Sequence, residues 1–164
     1  MIDDDKPTDV LADLGNPTAA GDRTFFGASP DQCAERARLA SSSMGDKSGE
    51  YGEALIILGN SYCIAGANEF HHALLAYEQA LQIFEGLEKS GLRSADAHQR
   101  IASVLRRLAQ HHSAVGHIQQ AIDIFARQED IDPHFLARLH DELSELQTFC
   151  LNQEKAKFPG GPPS

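Results

Sequence analysis

The sequence predicts an all-α protein of about six helices stacked as antiparallel hairpins. Apolar residues recur at spacings of three and four, as in Leu74, Tyr77, Leu81 and Phe84, or Ile101, Val104, Leu105 and Leu108. That period lays a stripe along one helix face. Each interruption carries Gly, Ser, Asp or Pro, and no stretch alternates with the period of two that a half-buried strand requires. Short links between helices then impose antiparallel neighbours.

Residues 1–28 read as a disordered acidic arm: six Asp, two Pro and three Gly leave too little to bury, apart from Leu11, Leu14, Phe25 and Phe26. Ser29, followed by Pro30, Asp31 and Gln32, supplies a helix start, and that helix ends near Ser41-Ser42-Ser43. A second helix is expected from Ser48 to about Ala65, stopped by Gly66. A third runs from about Glu69 to Lys89, before Gly91. A fourth starts at Ser94, has Asp96 in its first turn where the helix dipole favours it, and continues to Ala114, before Gly116. The fifth covers His117 to Gln128, and the sixth opens at Asp132-Pro133 and reaches Lys155. The run Phe158 to Ser164, rich in Pro and Gly, reads as a disordered tail, so the helical domain spans 29–157.

Composition fits one domain. The chain has 164 residues, 41% hydrophobic but only 7% aromatic and without Trp, so its core rests on Leu, Ile and Ala, which favour helices over strands. With 24 acidic against 14 basic side chains, the net charge of −10 argues against nucleic acid or anionic lipid as a partner. Cys33, Cys63 and Cys150 are scattered and odd in number, which points to free thiols in a cytoplasmic compartment. The start MIDDDKPTD lacks the order of a signal peptide, and no apolar run approaches the roughly 18–20 residues of a membrane span.

Two hairpins share a pattern. One reads Leu55-x2-Leu58-Gly59-x2-Tyr62, then Ala73-x3-Tyr77-x2-Ala80. The other reads Leu105-x2-Leu108-Ala109-x2-His112, then Ala121-x3-Phe125 and Pro133. This resembles the signature of the tetratricopeptide repeat (TPR) family, W-x2-LG-x2-Y…A-x3-F…P in about 34 residues. Gly59 and Ala109 are then the sites of close helix approach, with Ala73 and Ala121 opposite. Tyr62, Tyr77 and Phe125 fill the space between hairpins, and His112 stands where the family has an aromatic. Leu55 and Leu105 are 50 positions apart, so the third and fourth helices are expected to exceed the family standard. With the link Glu88-Lys89-Ser90-Gly91, such long units are similar to those of kinesin light chains and of spindle-polarity adaptors.

The resemblance implies an α-solenoid with units at about 48–89 and 94–133. The first helix caps one end and the helix at 133–155 caps the other, with Leu139, Leu143, Leu146 and Phe149 inward and Arg138, Asp141, Glu142 and Glu145 outward. It also implies a concave groove that binds a peptide or helix, lined by Glu53, Ile56, Asn60 and Ile64 from the first unit. The second unit contributes Ser103, Arg106, Arg107, Gln110 and Ala114. Asn60 and Gln110 take equivalent places, suited to a ligand's backbone, and Arg106 suits a carboxylate. Ile56 stands where the dicarboxylate clamp of heat-shock-chaperone adaptors needs Lys, which disfavours that class. Arg100, Arg106 and Arg107 form the densest basic patch, onto which the acidic arm can fold.

Other chemistry finds little support. His71-His72, His111-His112 and His117 fall near turns, but adjacent histidines diverge on a helix, and no HExxH or local Cys/His set exists, so no metal or cofactor is expected. Cys63 lacks an oriented base and reads as a core thiol, and no glycine-rich phosphate loop or GxSxG elbow is present. The expected function is therefore a non-enzymatic adaptor. The alternatives are a small TPR chaperone for a secreted or assembly-prone partner, and a structural subunit that self-associates, for instance as a homodimer.

Overall fold

The computed structural model describes residues 28–157, so the expectations for the acidic arm and the C-terminal tail lie outside the described residues. The described residues form six α-helices: α1 Pro30–Met44, α2 Gly49–Ala65, α3 Phe70–Glu85, α4 Gly91–Arg107, α5 His111–Phe125 and α6 Pro133–Lys157, with a 3-10 turn at Ala67–Glu69 before α3. No strand occurs among the described residues. Each helix packs against the next in the chain.

The starts with polar caps fall where expected. The Ser29 hydroxyl accepts from the Gln32 N–H and the Gln32 side chain returns to the Ser29 N–H, closing a capping box before Pro30. The Ser48 hydroxyl accepts from the Tyr51 N–H at 3.1 Å, and Asp132 accepts from the His134 N–H at 2.9 Å.

Several boundaries are corrected: α4 opens at Gly91 and not at Ser94, which leaves Asp96 in its second turn, and α5 ends at Phe125 and not at Gln128. α3 ends at Glu85, where the Ser90 hydroxyl donates to the Phe84 and Leu87 carbonyls and turns the chain towards α4. α4 ends at Arg107, and α5 already begins at His111. The break lies at Leu108–Gln110. Ala109 adopts φ 58°, its N–H donates to Arg106 O, and the Gln110 N–H donates to Leu105 O. That pair of bonds closes a Schellman motif with alanine in the left-handed position usually given to glycine. Gly116 stops nothing and lies inside α5. With 16 and 17 residues, α3 and α4 are also not the long helices expected.

The two central hairpins repeat, in a register different from the one predicted. Buried Leu55 and Gly59 of α2 correspond to buried His98 and Ala102 of α4. In the second helices Ala73, Tyr77, Ala80, Leu81 and Phe84 match Ala114, Ile118, Ala121, Ile122 and Phe125, all buried. Ala102 therefore takes the small-residue role assigned to Ala109. His112 is exposed and fills no aromatic position. Close approach explains the small residues: a Cβ on Gly52 would meet the Phe84 ring at 2.5 Å, and one on Gly59 would overlap the Tyr77 ring. In the same alignment Ala102 and Ile118 stand in the places of Gly59 and Tyr77, a larger residue on one side and a narrower one on the other. In α6 the inward stripe is Leu139, Leu143, Leu146 and Cys150, so Phe149 turns outward, 43% exposed.

Candidate functional site

The first helices of the hairpins, α2 and α4, and the last helix, α6, share one side of the stack and are joined there by polar contacts. Glu53 pairs with Arg93 at 2.8 Å. Its carboxyl pKa is raised because burial outweighs the Arg93 charge. Asn60 Oδ1 accepts from the Tyr77 hydroxyl at 2.6 Å and from Arg100 at 2.8 Å. Arg100 also holds Asp96 at 2.7 Å. Burial works against the Arg100 charge, but Asp96 and the Tyr77 oxygen outweigh it and raise its pKa. Burial, aided by the Cys63 thiol 3.7 Å away, raises the pKa of the Tyr77 hydroxyl. Arg106 pairs with Glu142 of α6.

Between α4, the start of α5 and α6 this side opens into a cleft of about 550 Å³, lined by Ser103, Arg106, Arg107, His111, Glu145, Leu146 and Phe149. Its lining mixes apolar Leu146 and Phe149 with charged Arg106, Arg107 and Glu145. Arg107 lies over the Phe70 ring at 5.3 Å and has no carboxylate within ion-pair distance among the described residues. His111 meets the Phe149 ring edge-on at 4.5 Å between centroids, and its buried Nδ1 has no hydrogen-bond partner among the described residues. His111 also opens α5, whose N-cap residue Gln110 makes no side-chain cap, so the first N–H groups of that helix remain available to an acceptor.

Of the residues expected to bind a ligand, Ser103, Arg106 and Arg107 come together in this cleft. Glu53 and Asn60 lie further along the same side, engaged with Arg93 and Arg100. Ile56 is half-buried against the core, and Ile64 is exposed at 64%. Gln110 belongs to the turn before α5, and Ala114 is fully buried. The equivalence of Asn60 and Gln110 fails with the register: since Gly59 matches Ala102, the residue in Asn60's place is Ser103.

His111, Glu145, Leu146 and Phe149 were not foreseen as site residues. The first is hidden by the misplaced break, and Phe149 reads as core because it continues the apolar stripe from Leu146. Among the described residues no group of three or more His, Cys, Asp or Glu side chains is placed to hold a metal ion, and no helix is long and apolar enough to cross a membrane. No family model and no curated protein matches the chain.

Proposed function

We infer that this chain is a non-enzymatic protein-interaction module of the tetratricopeptide type, holding a segment of a partner protein on the side formed by α2, α4 and α6. One observation carries the reading: a cleft of about 550 Å³ at the end of that side, whose lining combines apolar Leu146 and Phe149 with Arg106, Arg107 and Glu145. Such a mixture of apolar anchor surface and charged groups suits a peptide segment, whose apolar side chains cover Leu146 and Phe149 while its polar atoms meet the charged lining. The ladder of contacts from Glu53–Arg93 through Asn60–Arg100 to Arg106–Glu142 supports it further, since it stiffens the surface before any ligand arrives.

A photo-crosslinking amino acid placed at exposed Ser103 in the full chain tests this in the protein's own cells, with exposed Gln79 on α3 as the control position. A covalent adduct to a second protein is expected from position 103 and not from 79. Adducts of equal yield from both positions, or from 79 alone, would remove the cleft from the function.

A further inference from the structure

We propose that residues 9–14 of this chain occupy the cleft between α4, α5 and α6, and that a partner must displace them; this rests on reading the cleft as a binding site for a protein segment. The segment, Asp9-Val10-Leu11-Ala12-Asp13-Leu14, sets carboxylates directly beside apolar side chains. The cleft offers the complement: the uncompensated Arg107 guanidinium beside the uncapped N-terminus of α5, and the apolar surface of Leu146 and Phe149, with Glu145 as the one carboxylate of the lining. A carboxylate meeting these donors gains a charge-assisted contact. The neighbouring leucines cover an aromatic ring that otherwise faces water.

Topology brings the two together. Successive helices from α2 on run antiparallel: early Gly52 of α2 faces late Phe84 of α3, late Arg107 of α4 meets early Phe70 of α3, early Gly91 of α4 faces late Ile124 of α5, and early His111 of α5 meets late Phe149 of α6. Helix α1, packed on α2 and joined to it by the short link 45–48, follows the same alternation. The N-terminus of α1 therefore lies at the same end of the stack as Arg107 and His111. Four steps between neighbouring helices, at about 10 Å each, place α5 within about 40 Å of α1. The stretch from Leu14 to Ala28 spans about 45 Å when extended, which covers that distance.

Amide NMR spectra of the full chain test the contact, comparing wild type with the variant carrying Leu11→Ser, Asp13→Asn and Leu14→Ser. The amides of His111, His112, Ser113 and Phe149 are expected to shift. In the converse variants, Arg107→Gln and Ser103→Trp, the amides of residues 9–14 are expected to move; the second fills the cleft from an exposed position without touching a charge. A labelled peptide of residues 7–16 should bind the triple variant about tenfold more tightly than wild type. That factor is expected of a tethered competitor with an effective concentration near 1 mM and an intrinsic Kd of about 0.1 mM. Equal peptide affinity for the two proteins, or unshifted amides at 111–113 and 149, would overturn the proposal. Shifts that grow with protein concentration would overturn it as well, assigning the cleft to the same segment of a second copy. If these fail while Ser103 still crosslinks a second protein, the self-contact is refuted and the binding-module reading stands.

Discussion

His98 holds in the second hairpin the place that Leu55 holds in the first, so an ionisable ring stands where packing asks for a hydrocarbon. Its Nδ1 lies 2.9 Å from Nδ1 of His117, and its Nε2 lies 3.8 Å from the Glu85 carboxylate of α3. The carboxylate favours a proton on Nε2, which leaves Nδ1 of His98 to accept from Nδ1–H of His117. A second proton on the pair would set N–H against N–H. Burial lowers the pKa of both rings; for His117 the neighbouring His98 adds to the effect and Glu85 opposes it. The sign of the linkage follows. On acidification the unfolded chain takes up protons first, at the ordinary imidazole value of 6.5. Stability is therefore full above that pH, falls below it, and levels off beneath the lowered folded values. The slope is at most about 1.4 kcal/mol per pH unit for each proton. Urea midpoints at pH 7.5 and 5.0 check this, with His98→Leu expected to flatten the difference by restoring the residue type of the first hairpin. A wild-type midpoint that does not change between these pH values would refute it.

At the scale of the element, the joint between α4 and α5 carries a strain that no breaker residue announces. Ala109 sits at φ 58°, where a Cβ costs roughly 1–2 kcal/mol. Gly116 lies inside α5, and a Cβ there would meet nothing within 4 Å. Ala109→Gly and Gly116→Ala should therefore each stabilise the fold, by about 0.5–1 kcal/mol, and together shift Tm upward by a few degrees. Calorimetry that finds either change destabilising would contradict this account. The same joint marks the limit of what the sequence discloses. Helix type and number were legible from the apolar period, and the starts at Ser29, Ser48 and Asp132 from side chains that cap. The end of α4 was not, because a Schellman turn built on alanine is a property of the backbone and its two hydrogen bonds. The apolar period alone runs α4 on to Gly116 and sets the repeat register on Ala109 in place of Ala102. Of the residues expected to contact a ligand, Ser103, Arg106 and Arg107 line the cleft, Gln110 belongs to the turn beside it and Ala114 is fully buried, while His111 follows only from the true end of α4.

Over the whole molecule the helices form a file in which each packs mainly on its chain neighbours, so no central layer ties all six together. Stability in such a stack is close to a sum of units and the interfaces between them. The middle is the best packed: Ala73 and Ala80 of α3, Ala95, Ala97 and Ile101 of α4, and Ala114 and Ala121 of α5 are fully enclosed. The ends are thinner. α1 contributes only Cys33, Ala37 and Ala40 to the interior, and residues 151–157 of α6 are all exposed. Native-state amide exchange should therefore be graded along the chain, slowest in α3, α4 and α5, and faster in α1 and the last turns of α6. The difference in opening free energy should reach about 2–3 kcal/mol, roughly 30- to 160-fold in rate. The cleft lies where this gradient falls, with one wall on well-packed α4 and the other on α6, held across the mouth by Arg106–Glu142. Occupancy of the cleft should slow exchange in α6 more than in α3, because a ligand touching both walls adds an interface to the weaker helix. Uniform protection from α1 to α6 would mean that the stack opens as one cooperative block, and the cleft would then have no soft wall to tighten.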